Sequence, residues 1–331
     1  MNQNAKSRCT FARDEQAIQI AYYSQHFADR SGHRGRAFQL QADHRLSGLM
    51  GNELELEPLF AAKKIQWHTY IGHGRSSQAC CINFLAPMGK RPEILSQWVG
   101  SVLGIAPPKM LPVETGVDGE DWFVAFEYTG PCDIDYLGEA GGKTPQRGAN
   151  ATAADAAVAF ERGDGSREVI LIEWKYTEEY RNHRLSEDRR ETRVGRYAAI
   201  AFAPDGPIRN DLGLKLQDFF HEPLYQLLRQ QMLAFQIERN PESGFDRARV
   251  LHLSPSANRA LHHLTAPALK SLAGVEYDDA FCAYRATLVD PEAFMERSIE
   301  TAFEPVTNMA DAGWIGPLRE RYPTLFSQSD A

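Results

Sequence analysis

The chain has 331 residues, of which 43% are hydrophobic and 24% are charged, and its formal net charge is -8 at pH 7. This composition predicts a soluble protein with a sizeable core, and the excess of acid argues against a protein that coats nucleic acid nonspecifically. No apolar run approaches the roughly 18 residues of a membrane span, and the start lacks the apolar segment of a secretory signal. Five cysteines without CxxC spacing indicate reduced thiols, so we expect a cytoplasmic protein that does not enter membranes.

No repeat, low-complexity tract or long linker divides the chain, which favours a single domain over residues 1–331. Residues 1–74 are polar with scattered aromatics, and we expect an N-terminal accessory segment there. Residues 75–255 carry the regular pattern of a core, and residues 256–331 are expected to add a strand and helices that complete the fold.

Two helices and a strand open the predicted core. The first helix ends at Ala86-Pro87 and carries Gln78, and the second runs from Pro92 with its proline in the first turn. A strand over 122–128 follows and has Glu127 near its end. Glu127, and less favourably Glu139 after it, can supply a carboxylate to a site at this strand end.

The stretch 168–177 is the most informative of the chain. Its four consecutive aliphatic residues predict a strand buried on both faces. Side chains alternate along a strand, so Glu173 and Lys175 share one face and Trp174 occupies the other. An unpaired ion at the end of so apolar a strand costs several kcal/mol by order of magnitude. Such a local conflict indicates function more often than not.

A turn signal at 162–165 joins this strand to an apolar stretch at 152–160 that contains Asp155. Antiparallel pairing across the turn brings Asp155 towards Glu173 and Lys175. Two carboxylates and a lysine can hold a hard divalent cation and an attacking water. The structural alternative is a buried ion pair with a separate acid at the hairpin edge.

Further elements follow the hairpin. Residues 223–239 predict an amphipathic helix with an apolar stripe and a polar face that carries Gln226, Arg229 and Gln230. Residues 248–253 predict a fourth strand, 281–289 a fifth, and 291–303 a closing helix. Arg189, Arg193 and Arg196 fall on one side of a helix and are candidate phosphate contacts. Alternatively, they belong to a solvated helix and pair with neighbouring acids.

Asp155 with Glu173-Trp174-Lys175 resembles the PD-(D/E)XK nuclease superfamily, although Ala154 stands where the superfamily name has proline. The phrase at 171–178 is similar to a bacterial branch described as restriction endonucleases. Additional similarity to that branch covers residues 65–68, 76–78, 126–128, 147–155 and 222–230.

The resemblance implies a mixed α/β fold with a restriction-endonuclease-like αβββαβ core, in which a central mixed sheet is flanked by helices. It also implies hydrolysis of phosphodiester bonds, in DNA rather than RNA, with Mg²⁺ or Mn²⁺ as its substitute. Asp155, Glu173 and the Trp174 backbone carbonyl would bind the metal, and Lys175 would act on the attacking water. Gln78, Glu127, Gln226, Arg229 and Gln230 would support the site.

The resemblance is also compatible with a homodimer. Two rival hypotheses remain open. One is a catalytically silent nucleic-acid-binding module on the same fold, and the other is an enzyme that acts on RNA.

Overall fold

The structure is a computed structural model that describes residues 10–149, 151–180, 190–309 and 312–326. Its helices are α1 (Thr10–His26), α2 (Glu53–Ala62), α3 (Ser77–Leu85), α4 (Pro92–Leu103), α5 (Arg190–Ala201), α6 (Leu224–Arg239), α7 (Ala280–Ala286), α8 (Ile299–Thr307) and α9 (Ile315–Arg321). Its strands are β1 (Lys109–Leu111), β2 (Glu114–Thr115), β3 (Asp121–Trp122), β4 (Ala125–Tyr128), β5 (Ala154–Glu161), β6 (Arg167–Trp174), β7 (Arg247–Ser254), β8 (Ser271–Leu272), β9 (Val275–Glu276) and β10 (Phe294–Ser298).

Six of the strands in the described residues form one mixed sheet in the order β1-β5-β6-β7-β10, with β4 also paired to β5. The strands β5 and β6 form the predicted antiparallel hairpin, while β6, β7 and β10 run parallel. Helices cover both faces of the sheet. The predicted mixed α/β class, and the succession of helix, three strands, helix and strand, are confirmed.

Alternation along β5 and β6 divides the core into two layers. Ile170 and Ile172 belong to one cluster, together with Phe84 of α3. Leu171 belongs to the opposite cluster, together with Leu228 of α6. Because the sheet is buried on both faces, a polar side chain reaches solvent only where a strand ends.

Buried hydrogen bonds join residues near the two ends of the described chain. Gln19 of α1 donates a hydrogen bond to the Arg321 carbonyl at 2.8 Å, and Arg321 is itself fully buried. Asn83 of α3 donates to the Gly48 carbonyl at 3.1 Å. These bonds fix the N-terminal segment against α3 and α9.

The predicted fifth strand at 281–289 is wrong, because Ala280–Ala286 is helix α7. Asp279 begins this helix by accepting hydrogen bonds from the backbone N–H groups of Phe281 and Cys282, at 2.9 and 2.8 Å. The additional strand is β10, which lies inside the predicted closing helix and pairs with β7. Ser298 then caps α8.

The predicted strand over 122–128 is divided. Trp122 pairs with Glu114 in a separate ribbon, whereas residues 125–128 pair with β5. Between them, the Phe123 N–H donates to the Gly89 carbonyl at 2.7 Å and leaves the ladder.

No helix within the described ranges is both long and apolar enough to cross a membrane. The cysteines that the structure describes, at 80, 81, 132 and 282, are free thiols.

Candidate active site

Asp155 and Glu173 lie on neighbouring strands at the same end of the sheet. The hairpin register pairs Ala156 with Ile172, so the next residues outward, Asp155 and Glu173, are side by side on one face. One Asp155 carboxylate oxygen accepts the Trp174 backbone N–H at 2.7 Å. The predicted convergence of the two acids is therefore present.

Lys175 follows β6 directly, and its backbone N–H donates to the Leu253 carbonyl of β7 at 2.8 Å. This bond extends the strand pairing by one residue and aims the side chain at Glu173. The Lys175 ammonium forms an ion pair with Oε1 of Glu173. Gln230 of α6 donates its amide N–H to Oε2 of the same carboxylate. Glu173 is 1% exposed, so these two partners replace its hydration.

A third acid, Glu127, joins the pair from β4. The register of β4 pairs Phe126 and Tyr128 with β5 but skips Glu127, whose φ is +49°. Gln78 of α3 donates to the Glu127 carboxylate at 2.6 Å and accepts the His68 backbone N–H at 2.9 Å.

Burial is the largest influence on the pKa values of the acids. It raises the pKa of Glu127 to about 7, with a further contribution from the charge of Asp155. It raises the pKa of Glu173 to about 8, although Lys175 acts in the opposite direction. The pKa of Asp155 is also raised by burial. For Lys175, burial opposes the charge, but attraction by Glu173 and other groups holds its pKa well above its usual range. A positive charge placed beside carboxyls with raised pKa values stabilises their ionised form.

The cluster opens on a cavity of about 520 Å³. Glu127, Asp155, Trp174 and Lys175 line it, together with Gln78 and Gln226. A ligand in this cavity can reach two acids and the lysine together.

A family model described as "restriction endonuclease associating with ARP" matches residues 29–323. The chain belongs to this restriction-endonuclease family. The match covers α2 to α9 and therefore includes every strand described above. No curated protein and no solved structure matches the chain significantly. Membership confirms the resemblance to restriction endonucleases, and the family name indicates a nuclease that acts on nucleic acid.

The polar face of α6 in this family member is divided between two sites. Gln230 reaches Glu173, and Gln226 lines the cavity and accepts the Tyr180 hydroxyl at 3.3 Å. Arg229 instead forms an ion pair with Glu139 at 3.1 Å. The Glu139 carboxylate also receives the Thr152 N–H and hydroxyl and the Tyr197 hydroxyl. The structure thus places Arg229 and Glu139 in a separate network beside the cavity.

The candidate phosphate contacts lie on or before α5. Arg193 stacks over Tyr225 at 5.4 Å, and Arg196 over Tyr197 at 5.8 Å. Arg189 lies outside the described residues. Arg193 and Arg196 are not among the residues that line the cavity.

The donor set suits a hard cation but is small. Asp155 and Glu173 offer carboxylate oxygens. The Trp174 carbonyl, which also accepts the Ser77 hydroxyl at 3.1 Å, belongs to the residue directly after Glu173. Oxygen ligands of this kind are those that Mg²⁺ prefers, with water completing its shell. In the described ranges, no three His, Cys, Asp or Glu side chains converge as a metal site by themselves.

Sequence reasoning missed another part of the cavity wall, which is basic and aromatic. Its side chains come from the N-terminal segment and the residue directly after it, namely Arg36, His68, Tyr70, His73 and Arg75. The only signal was the family-like phrase at 65–68, which includes His68.

Proposed function

We propose that this member of the restriction-endonuclease family is a PD-(D/E)XK-type nuclease that hydrolyses phosphodiester bonds in DNA. The observation that carries the proposal is the placement of Asp155, Glu173 and Lys175 at the ends of neighbouring strands, where Asp155 and Lys175 line an open cavity and Glu173 is buried beside them. Asp155, Glu173 and the Trp174 carbonyl would hold one Mg²⁺, for which Mn²⁺ substitutes. When bound, the metal would neutralise phosphate charge and favour ionisation of the attacking water.

Lys175 has two roles in the proposal. Its ammonium, 8% exposed at the cavity edge, donates a hydrogen bond that orients the attacking water. It also stabilises the negative charge that develops on phosphorus-bound oxygens. The ion pair with Glu173 sets the position from which the ammonium acts.

The surrounding side chains hold the acids in place. The Trp174 N–H fixes the orientation of Asp155, and Gln230 fixes that of Glu173. Gln78 holds Glu127, which can orient water or contribute a further carboxylate. Neutral amide donors do this without placing another permanent charge among the acids.

Plasmid nicking tests the proposal. Purified protein with Mg²⁺ or Mn²⁺ is expected to relax supercoiled DNA, and EDTA is expected to stop the reaction. Lys175→Ala and Asp155→Asn are expected to lower the rate by at least about 100-fold, as removal of one group from a catalytic set does. Asp164→Asn is the matched control, because Asp164 is an exposed acid in the hairpin turn that bonds only locally to Ser166.

Parallel assays with RNA separate the rival readings. If the protein cleaves RNA but not DNA in the presence of metal, RNA is its substrate. Binding of nucleic acid without cleavage in either metal would establish the catalytically silent module instead.

The family description also names ARP. We propose that this chain associates with ARP, and co-purification of the two proteins tests the proposal.

A further inference from the structure

One part of the cavity wall is basic and aromatic. It includes Arg36, Tyr70 and Arg75, and the same cavity is also lined by Glu127, Asp155, Glu178 and Lys175. The cavity therefore combines carboxylates, which suit a metal ion, with guanidinium groups, which suit an anion.

Backbone hydrogen bonds hold this wall rigidly. The Leu40 N–H donates to the Gly72 carbonyl at 2.9 Å, and the Gly74 N–H donates to the Phe38 carbonyl at 2.8 Å. A side chain at Gly74 would place its Cβ 2.8 Å from that of Gln19 on α1. Glycine therefore allows this turn to pack directly against α1.

The two arginines form a positive site. Arg75 lies over the Phe38 ring at 5.6 Å and donates to the Ala12 carbonyl at 3.0 Å, while its buried Nε has no hydrogen-bond partner. Arg36 is exposed and has a long contact of 3.4 Å with the Gln39 amide oxygen. In the part of the chain that the structure describes, the hydrogen bonds of the two guanidinium groups go to neutral oxygens, and the negative charge of Glu179 acts on Arg75.

His73 lies between these groups as a neutral donor. Burial, followed by the charges of Arg75 and Arg36, lowers the pKa of His73 to about 4. Its Nδ1 accepts the Arg75 backbone N–H at 3.1 Å, so the proton of the neutral ring is on Nε2. The two positive charges favour an anion, and Nε2–H can donate a hydrogen bond to it.

Tyr70 adds an exposed aromatic surface at the rim. Its side chain is 44% exposed, whereas most large aromatics of the described chain are buried. The Tyr70 N–H donates to Nδ1 of His68 at 3.3 Å, and the two rings lie 5.7 Å apart. An aromatic face beside a phosphate-type site is the arrangement that stacks an unpaired base.

We propose that this wall binds one unpaired nucleotide of the substrate, with its phosphate on Arg36 and Arg75 and its base on Tyr70. The inference rests on the proposed function and specifies its substrate class as single-stranded nucleic acid or a frayed end. The volume of about 520 Å³ supports it, because pockets of about 300–1,000 Å³ enclose single small ligands. A paired base inside a duplex cannot present its face to Tyr70.

The test is fluorescence anisotropy with labelled oligonucleotides and Lys175→Ala protein in Mg²⁺, a variant that keeps both proposed metal-binding acids. Oligo(dT) and oligo(rU) are compared with a DNA duplex of equal length. We expect the single strands to bind at least about tenfold more tightly, and Tyr70→Ala to remove at least about fivefold of that affinity. Tyr70→Phe keeps the ring and should remain within about twofold of the parent.

The arginines have their own measurement. Arg36→Ala is expected to reduce the slope of log affinity against log salt by about 0.7, the value for one single-strand phosphate. Arg167→Ala, which changes an exposed arginine at the start of β6, the end of that strand far from Glu173, is expected to leave the slope unchanged. Equal affinity for duplex and single strand, or unchanged binding by Tyr70→Ala, would overturn the inference.

The two proposals can fail separately. If the protein prefers single strands, depends on Tyr70 for binding and does not cleave as wild type, the unpaired-nucleotide site is supported and the nuclease proposal is rejected. Efficient duplex cleavage with weak single-strand binding supports the nuclease and removes the unpaired-nucleotide site.

Discussion

Glu127→Gln is expected to stabilise the metal-free protein in a pH-dependent way. Burial raises the pKa of Glu127 from its ordinary value of 4.5 to about 7. Because the folded-state pKa is the higher one, ionised Glu127 destabilises the fold. The cost is absent below pH 4.5, grows as pH rises and is complete above pH 7.

The size of the effect follows from the same shift. At about 1.4 kcal/mol per pH unit, and allowing for partial solvent screening, ionised Glu127 costs about 2–3 kcal/mol. Glutamine keeps an oxygen that can accept the Gln78 amide, so the substitution removes the charge without removing the hydrogen bond. The variant should therefore be more stable by about that amount at pH 8–9, and unchanged near pH 4.

Urea denaturation in EDTA across this pH range measures the difference in free energy of unfolding. Glu57→Gln, on the exposed side of α2, is the control and should show no comparable pH-dependent gain. Added Mg²⁺ should reduce the advantage of Glu127→Gln, because cation binding relieves the repulsion in the wild type. A difference that stays constant from acid to alkaline pH would refute the electrostatic reasoning.

Three further substitutions test the structure away from the acids. Arg229→Ala should lower the free energy of unfolding by about 1–3 kcal/mol, since it leaves Glu139 without its charged partner. A change in the salt dependence of DNA binding would instead indicate that Arg229 contacts a phosphate. Asp279→Ala should cost about 1–2 kcal/mol as a lost helix cap. Burial raises the pKa of Asp279, but hydrogen bonds from His262 and the Cys282 N–H outweigh burial and lower this pKa to about 2. The loss of free energy of unfolding in the variant should therefore be complete above pH 3.8 and vanish as pH falls through 2. Leu228→Ala, in the core under the sheet, should cost about 2–5 kcal/mol in urea denaturation, and a much smaller loss would contradict the packing of α6.

The parts of the fold that could be predicted are those fixed by local pattern. The aliphatic run before Glu173 and the turn at 162–165 require a buried hairpin, which is present as β5 and β6. The strand prediction for residues 281–289 was wrong because a short apolar run is compatible with either a strand or a helix. The Asp279 cap, together with packing of Phe281 against the sheet, selects the helix. The strand β10 is short and carries Glu296 and Arg297, so its pairing with β7 has little local signal.

The same distinction applies to the site. Asp155, Glu173 and Lys175 could be linked from sequence because the hairpin register and strand alternation relate them. The wall with Arg36 and Arg75 could not, because it depends on long-range bonds between residues 38–40 and 72–74. The polar face of α6 was predicted as a whole, but only the structure separates Gln230, at the acids, from Arg229 at Glu139.

Titration calorimetry with Mg²⁺, on wild-type protein and on Asp155→Asn, tests the central claim most directly. Mg²⁺ is expected to bind saturably to the wild type and not to bind to the variant. The variant should melt at the same temperature or higher, because one of the crowded acids has lost its charge. Unchanged Mg²⁺ affinity in a folded Asp155→Asn protein would contradict the assignment of Asp155 and Glu173 as metal ligands.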